Sequence, residues 1–539
     1  MIEKISPIEI DENKKVMNNY IFDESKVLRN ETFAQLKIDN NTFAYGLLIP
    51  KEKDVTDKMG NVVSKEQIWS PVLITSDRQL IEATKENQLK FRIKFESIPS
   101  NLPLRWSLES IKSYLEGDDK VPELTPRELL ETIKHSSESI SSFRNESWYK
   151  INPCRDVATY LFILFDSFPI KEERGLQGTG KSKEMKRSKM VSFNSSDIMV
   201  NPSESTLFRE THEKRFTKYI DEAEKLFVIQ KGKIESDSRV ELINGSYSKG
   251  SSIPRVEKIG NKFVVIYYQV YSPTTIGSIN GLFGATEGRA ITQIHTRSLD
   301  NDPRGEVEID EKSPEWRMIR DNLYLFGLKY WKDVQTIYQD ISIWKDLKLK
   351  KRDLQIWKPI LTVAKLVGDD WFKELVDFAV ELSEMKLDEM LSESSFDYFC
   401  LEALKNTILV YGSNKHYLDK IKESYCMNKP EEEKSNIYLN RNIGQHLKKI
   451  GFEKKRDGIG TYIIANKNIF DEIVSPICPQ LAFISSYITL STQDKGKEDK
   501  SSVDEVKISV DKENEEVKIV KISVDNVDES KLKGCDYDF

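Results

Sequence analysis

Over the first 145 residues, apolar and polar positions fall into short blocks. Phe43–Pro50, Ile68–Thr75 and Leu89–Ile98 are rich in β-branched and aromatic residues, and Leu89–Phe95 alternates with a period of two, so three strands are expected. Helical periodicity follows over Ser107–Leu115 and Thr125–Ser139, the second opening on Thr-Pro as cap and first turn. Residues 1–145 therefore read as an α+β N-terminal domain for docking or oligomerisation. From 146 to 312 the pattern becomes strand, loop and helix in alternation. Residues 313–430 are helical: Glu315–Lys329, Ile356–Val367, Trp371–Glu384 and Phe396–Tyr411 each place apolar side chains at i, i+3, i+4 and i+7. After the polar break Pro430–Lys434, residues 431–475 read as helices and a hairpin, followed by an apolar segment at 476–490. Residues 491–539 form a low-complexity tail that twice carries VKISVD, too poor in apolar surface to fold alone.

Composition narrows the class. The chain has 539 residues, 38% hydrophobic and 31% charged, which excludes a collagen, a disulfide scaffold and a wholly disordered chain. The formal charge of -7 sits mostly in the tail, where Ser491–Phe539 holds 9 Lys against 14 Asp and Glu. The remainder is close to neutral, so a nucleic-acid site must be a local patch. Five scattered Cys (Cys154, Cys400, Cys426, Cys478, Cys535) without a C-x-x-C pair argue against disulfides and zinc. No apolar leader core opens the chain, and no apolar run reaches the roughly 18–20 residues of a membrane span. A soluble, cytoplasmic protein is expected.

The sharpest chemical signal is Gly175-Leu176-Gln177-Gly178-Thr179-Gly180-Lys181-Ser182, which satisfies G-x-x-x-x-G-K-[ST]. In such a P-loop the Gly175, Gly178, Thr179 and Gly180 backbone wraps phosphates, Lys181 reaches the β- and γ-phosphates of ATP, and the Ser182 hydroxyl ligates Mg²⁺. Forty residues on, Phe216–Asp221 reads as a short strand ending in Asp221-Glu222. There Asp221 would hold the Mg²⁺ shell and Glu222 would orient or deprotonate the attacking water. Taken alone, Asp221–Lys225 more often opens a charged helix. The spacing favours the site, because it accommodates a helix, a strand at Asp197–Val200, a helix at Ser203–Lys214 and then the acidic strand, making a parallel sheet with chemistry at strand ends. Two flanks fit badly. Ile170–Arg174 is too charged for a buried parallel strand, and Lys183–Lys189 has little apolar face.

Downstream, Arg239–Val270 reads as extended chain with a hairpin, Ser251–Glu257 and Lys262–Val270 about a Gly260-Asn261 turn, with Lys249, Arg255 and Lys258 on or near it. Thr274–Asn280 reads as a small strand ending in Asn280. That residue either contacts the attacking water or caps a turn before Gly281. Arg289 and Arg297 follow, and a lone Arg is ordinarily a solvated charge.

In this order the residues resemble the compact ring-helicase ATPases of viruses and plasmids, the superfamily 3-like branch of the AAA+ class. More narrowly, they resemble a helicase-like domain family of phages, plasmids and archaeal mobile elements. That resemblance covers about 165–385 and includes Asn244-Gly245-Ser246-Tyr247 and the block Arg352 to Ala364, with Trp357 and Pro359. It implies ATP and Mg²⁺ at Lys181, Ser182, Asp221 and Glu222, Asn280 as a sensor, and Arg289 as a finger from a neighbouring subunit. It also implies Arg352 as a second sensor on the lid, and a hairpin that grips DNA through Lys249, Arg255 and Lys258.

At the other end, Ile443, Leu447 and Ile450 form one helical face and Gly451 ends the helix, before the basic turn Lys454-Lys455-Arg456. This segment resembles a winged helix, whose wing would offer those cations to DNA phosphates, or else it is a small packing domain. The expected fold is thus an α/β P-loop NTPase core of AAA+/superfamily 3 type, with an α+β N-terminal domain, an all-α lid and a C-terminal winged-helix-like domain. The expected function is an ATP-dependent DNA helicase or translocase, a homo-oligomeric ring (hexamer favoured) in virus or plasmid replication. The alternatives are an ATPase switch or loader for another DNA-binding protein, and a non-hydrolysing DNA-binding scaffold.

Overall fold

The computed structural model describes residues 26–118, 123–230, 233–298, 301–349, 351–390, 396–427, 439–475, 478 and 481–483. The VKISVD repeats and Cys535 lie outside them. The chain divides into two compact units, Met1–Ser392 and Glu393–Phe539.

The first unit opens with an antiparallel sheet of β1 (Gln35–Lys37), β2 (Phe43–Thr56), β3 (Val62–Thr75) and β4 (Leu80–Glu82), in that spatial order. The proximal halves of β2 and β3 are buried and carry the apolar runs read from the sequence, while their distal halves are exposed. Leu89–Ile98 is not a strand throughout. Thr84 caps a short helix at Lys85–Lys90, Arg92 ends it at φ 56°, and only Ile93–Phe95 is extended. Helices α1 (Leu108–Glu116) and α2 (Pro126–Glu138) follow, α2 with a reciprocal Thr125–Glu128 capping box. Then comes α3 (Trp148–Ala158).

A second sheet is built from β5 (Ile170–Gly175), β6 (Ile198–Val200), β7 (Lys218–Asp221), β10 (Thr274–Ser278) and β11 (Ala290–His295). The connecting elements in chain order are α4 (Lys181–Val191), α5 (Glu204–Lys214), α6 (Ser238–Ser246) and the hairpin β8 (Ser252–Ile259) and β9 (Lys262–Gln269). All pairings in this sheet are parallel, in the order β11-β5-β10-β7-β6. Strand β10 therefore lies between β5 and β7, and all three end on the same edge. The expected extended chain from Arg239 is helical as far as Ser246, because the Asp237 carboxylate accepts from Arg239 N at 2.9 Å and caps α6.

The charged β5 is buried because its side chains are matched one by one. Lys171 pairs with Glu173 at 2.6 Å, and Glu173 with His295 Nε2 at 2.7 Å. On the other face Glu172 accepts from Ser278 Oγ (2.6 Å) and Thr292 Oγ1 (2.7 Å) and holds Arg174 at 2.9 Å. In α4, likewise mostly buried, Arg187 bridges Glu184 and Asp156 at 2.8 and 2.7 Å. Each ion is paired, which is the condition for burying charge.

Helices α7 (Pro314–Gln339), α8 (Lys351–Val367) and α9 (Asp369–Met390) complete this unit. One continuous hydrophobic core joins both sheets' neighbourhoods to these helices. At its centre Trp106 stacks on Tyr324 with ring centroids 5.0 Å apart, and Tyr45 donates to Tyr160 O at 2.9 Å. Gly327 of α7 admits the Tyr45 ring, since a Cβ there would strike its hydroxyl.

The second unit contains α10 (Phe396–Tyr411), β12 (Lys415–Tyr417), α11 (Leu418–Cys426), α12 (Leu439–Ile450), β13 (Glu453–Arg456), β14 (Thr461–Ile464) and α13 (Lys467–Val474). The helices expected as one lid over 313–430 are thus split by the boundary at Ser392. The three strands form an antiparallel sheet in the order β12-β14-β13. Ile443 and Leu447 of α12 are fully buried, and Gly451 at φ 130° ends that helix with its N–H on Leu447 O. Among the described residues no helix is long and apolar enough to cross a membrane.

Candidate active site

Between β5 and α4 the chain runs through the Gly175–Gly180 loop. Gly178 and Gly180 have φ 79° and 84°, which only glycine adopts without strain, and a Cβ on either would meet open space. Gly175 is needed for a different reason: a Cβ there would lie 2.8 Å from His295 O. Helix α4 starts directly at Lys181. The N–H groups of Lys183 and Glu184 bond to Gly180 O at 3.0 and 3.1 Å, so those of Lys181 and Ser182 are left at the loop without a helical acceptor. Together with the helix dipole, this makes an anion site.

Asp221 ends β7, and the sheet brings it to the same edge. Ser182 Oγ donates to Asp221 Oδ2 at 3.1 Å, and Lys181 Nζ lies 3.5 Å from both Asp221 Oδ1 and Ser278 O. Glu222 follows at φ 59°, a left-handed conformation that costs a non-glycine residue about 1–3 kcal/mol and is held by its own N–H on Asp221 Oδ1 at 2.9 Å. The turn aims an exposed carboxylate into a cavity of about 660 Å³ lined by the 176–183 loop with Asp221, Glu222, Glu224 and Ile279. A second cavity of about 230 Å³ adjoins the loop on its other side, lined by Phe143, Thr179, His295 and Arg304 among others. Burial alone would raise the Glu173 carboxyl beneath this loop, but Lys171 and His295 hold it down at about 2.

The donors present suit a hard cation. Ser182 Oγ and Asp221 Oδ2 are oxygen donors at hydrogen-bond separation from each other. Gly277 of β10 makes room for them, since a Cβ there would press on Asp221 Oδ1 and stand 2.9 Å from Met185 Sδ.

Other expected residues fall elsewhere. Asn280 lies two residues past β10, exposed, and Ile279 takes its place in the cavity wall, its N–H on the Glu224 carboxylate. Lys249 precedes the hairpin and donates to Ile163 O at 2.6 Å, in a separate polar cavity of about 540 Å³. Arg255 is paired with Glu204 and lies over the Phe208 ring, while Lys258 is exposed. The exposed hairpin face carries Val256, Phe263, Val265 and Tyr267. Arg289 immediately precedes β11, whose register pairs Ala290 with Ile170 and His295 with Gly175. Arg289 is therefore at the opposite end of the sheet from the loop, about 16 Å away along the strand. Arg352 is exposed, and after burial its charge is what holds the Arg289 guanidinium below the ordinary arginine range. In the second unit Lys455 pairs with Glu453 at 2.8 Å. Lys454 is held below the ordinary lysine range by burial and by repulsion from Lys448 and Arg441 of α12. Arg456 is exposed on β13.

Sequence reasoning missed Gly277, Glu224, Arg441 and Lys448. The two basic residues carried a usable signal, seven apart on one helical face; Gly277 carried none, since its role depends on Asp221.

No family model matches the chain, and no curated protein matches it. One solved structure, described as SCCmec type IV Cch, active helicase, aligns over 82% of this chain and 99% of its own at 11% identity, with a TM-score of 0.37. At that score the likeness leaves the assignment to the geometry above.

Proposed function

We propose that the first unit is a P-loop ATPase of AAA+/superfamily 3 type and that the chain works as a ring-forming DNA helicase or translocase. The observation that carries this is the meeting of Lys181, Ser182, Asp221 and Glu222 at one sheet edge, from two loops 39 residues apart, around an open cavity. The backbone of Gly178–Ser182 and Lys181 Nζ would bind the β- and γ-phosphates of ATP. Ser182 and Asp221 would hold Mg²⁺, which supplies charge neutralisation across the phosphates. Glu222 would orient the attacking water and accept its proton as the bond to phosphorus forms. The cavity beside Phe143 and His295 would receive the nucleoside. A base on the exposed hairpin would stack on Phe263 or Tyr267 with Lys258 near the backbone, a mode that tolerates any sequence.

The second unit, with its order helix, strand, helix, helix and two strands, would be a winged-helix module. Arg441, Lys448 and Lys454 form a cluster of mutual repulsion that phosphates would relieve.

Steady-state ATP hydrolysis with and without single-stranded DNA, followed by strand displacement, separates the readings. DNA-stimulated turnover with unwinding supports the motor. Slow turnover indifferent to DNA, with nucleotide-dependent partner binding, would replace it by a switch, and DNA binding without turnover by a scaffold.

A further inference from the structure

Lys183 stands between the two cavities that adjoin the loop and lines both of them. Its Nζ donates to Arg304 O and to Gly305 O, each at 3.0 Å, and among the described residues it forms no ion pair. Both acceptors belong to one short turn, Pro303–Gly305, on the chain that leads from β11 to α7. The turn is shaped by its own charges. The Asp302 carboxylate accepts from Arg304 N at 3.0 Å and holds the Arg304 guanidinium through Nε and Nη2, each at 2.8 Å. The same guanidinium reaches Ser142 Oγ at 3.2 Å and the Tyr149 hydroxyl at 3.3 Å. That hydroxyl donates to Ser141 O at 2.8 Å and accepts from Phe143 N at 3.2 Å. The turn, the 141–143 segment and the start of α4 are thus one hydrogen-bonded frame around the cavity of about 230 Å³.

A lysine one residue past Ser182 has an obvious other use, as a further cation on the phosphates. Its geometry points away from that use, because two of its three N–H donors are spent on backbone carbonyls of the turn. Nor is the turn placed by burial. Pro303 and Gly305 are exposed and Arg304 is half-buried, so hydrogen bonds set where it stands. The larger cavity offers Lys181 and the loop backbone, groups that any polyphosphate satisfies. Only the smaller cavity can register whether a nucleoside is attached, and the turn is one of its walls. We infer that Lys183 is a positioning residue that fixes the Asp302–Gly305 turn as the wall of the nucleoside cavity, so that the site takes a nucleotide in preference to a bare polyphosphate. This rests on the nucleotide reading above and adds to it the residue that sets the preference.

The test is calorimetric binding of Mg·ADP and of Mg·pyrophosphate to the full-length chain, two ligands with the same number of phosphates. The wild type should bind ADP at least about 10-fold more tightly than pyrophosphate. Lys183→Met should weaken ADP by about 10-fold, the scale of losing a charge-assisted hydrogen bond, and leave pyrophosphate within about twofold. Lys183→Arg, whose fork can serve both carbonyls, should recover most of the loss. Ser142→Ala, which removes one anchor of Arg304 and leaves α4 untouched, should weaken ADP several-fold by the same route and carries the comparison if Lys183→Met does not fold. A variant that merely disturbed the loop would weaken both ligands together. Equal losses for ADP and pyrophosphate in Lys183→Met would place Lys183 on the phosphates and overturn the inference, as would unchanged ADP binding. A wild type that binds neither ligand would instead remove the nucleotide reading itself.

Discussion

Replacing Gly277 by Ala probes the site through a residue that touches neither phosphate nor water. In β10 the backbone accepts alanine, which recovers about 0.5–1 kcal/mol of chain entropy. The new Cβ, however, falls inside the 3.0 Å limit of real Cβ contacts to both neighbours, so the Asp221 carboxylate must retreat by roughly 0.7 Å and Met185 Sδ by a little. Asp221 is held at 3.1 Å from Ser182 Oγ and 3.5 Å from Lys181 Nζ, and a retreat of that size breaks both relations. Metal-ligand distances tolerate about 0.2 Å, and an error near 1 Å in a reacting geometry costs on the order of 100-fold. We expect kcat for ATP to fall about 100-fold, ~2.7 kcal/mol of barrier. Overpacking costs about 1–3 kcal/mol, partly offset by the entropy gain, so the melting temperature should drop only a few degrees. Mg²⁺-dependent ATP hydrolysis at 25 °C, beside a thermal melt and a Gly288→Ala control whose Cβ meets open space, reads both effects. Turnover within about twofold of wild type would refute the placement of Asp221 at the metal.

Three further outcomes are expected. Glu173→Gln leaves Lys171 and His295 buried beside a neutral amide and should cost about 3–5 kcal/mol near pH 7. Because the folded Glu173 carboxyl lies at about 2, below its unfolded value, its stabilisation is present above pH ~4.3 and lost as pH falls toward 2, so wild-type and variant melts should converge over that window. Burial, then Arg215, holds the Lys218 amine down at about 7, with Ser272 Oγ 2.6 Å away. The unfolded chain binds the extra proton between pH ~7 and ~10.4, so stability should rise with pH across that range, and Lys218→Met should remove the slope; a persistent slope would contradict it. In the second unit, Arg441, Lys448 and Lys454 changed together to Ala should lower the log–log salt slope of DNA binding by about 0.9 for each phosphate no longer neutralised, and an unchanged slope would exclude that cluster.

The turn at Gly175–Ser182 and the strand that ends at Asp221 were legible because their residues stand at fixed offsets set by local geometry. Asp197–Val200 and Ser203–Lys214 were legible for the same reason, each being a short element bounded by its own cap or turn. What was not legible depended on distant partners. The charges of Ile170–Arg174 contradict an apolar strand until Ser278, Thr292 and His295, more than 100 residues later, are brought against them. Leu89–Phe95 alternates like a strand, yet a Thr84 cap outweighs the alternation over its first residues. Period alone identified the helices over 313–430 but could not say that Phe396–Tyr411 belongs with the second unit. Arg289 reads as a lone charge in the sequence, and only the register of β11 puts it at the opposite end of the sheet from Gly175.

The most direct measurement of the central claim compares wild type with Glu222→Gln for both equilibrium binding of Mg·ATP and its hydrolysis. If Lys181, Ser182 and Asp221 hold the nucleotide while Glu222 activates water, binding should be unchanged and hydrolysis should fall by about 10²- to 10⁴-fold. Equal hydrolysis in the two proteins, or no binding by the wild type, would contradict the account.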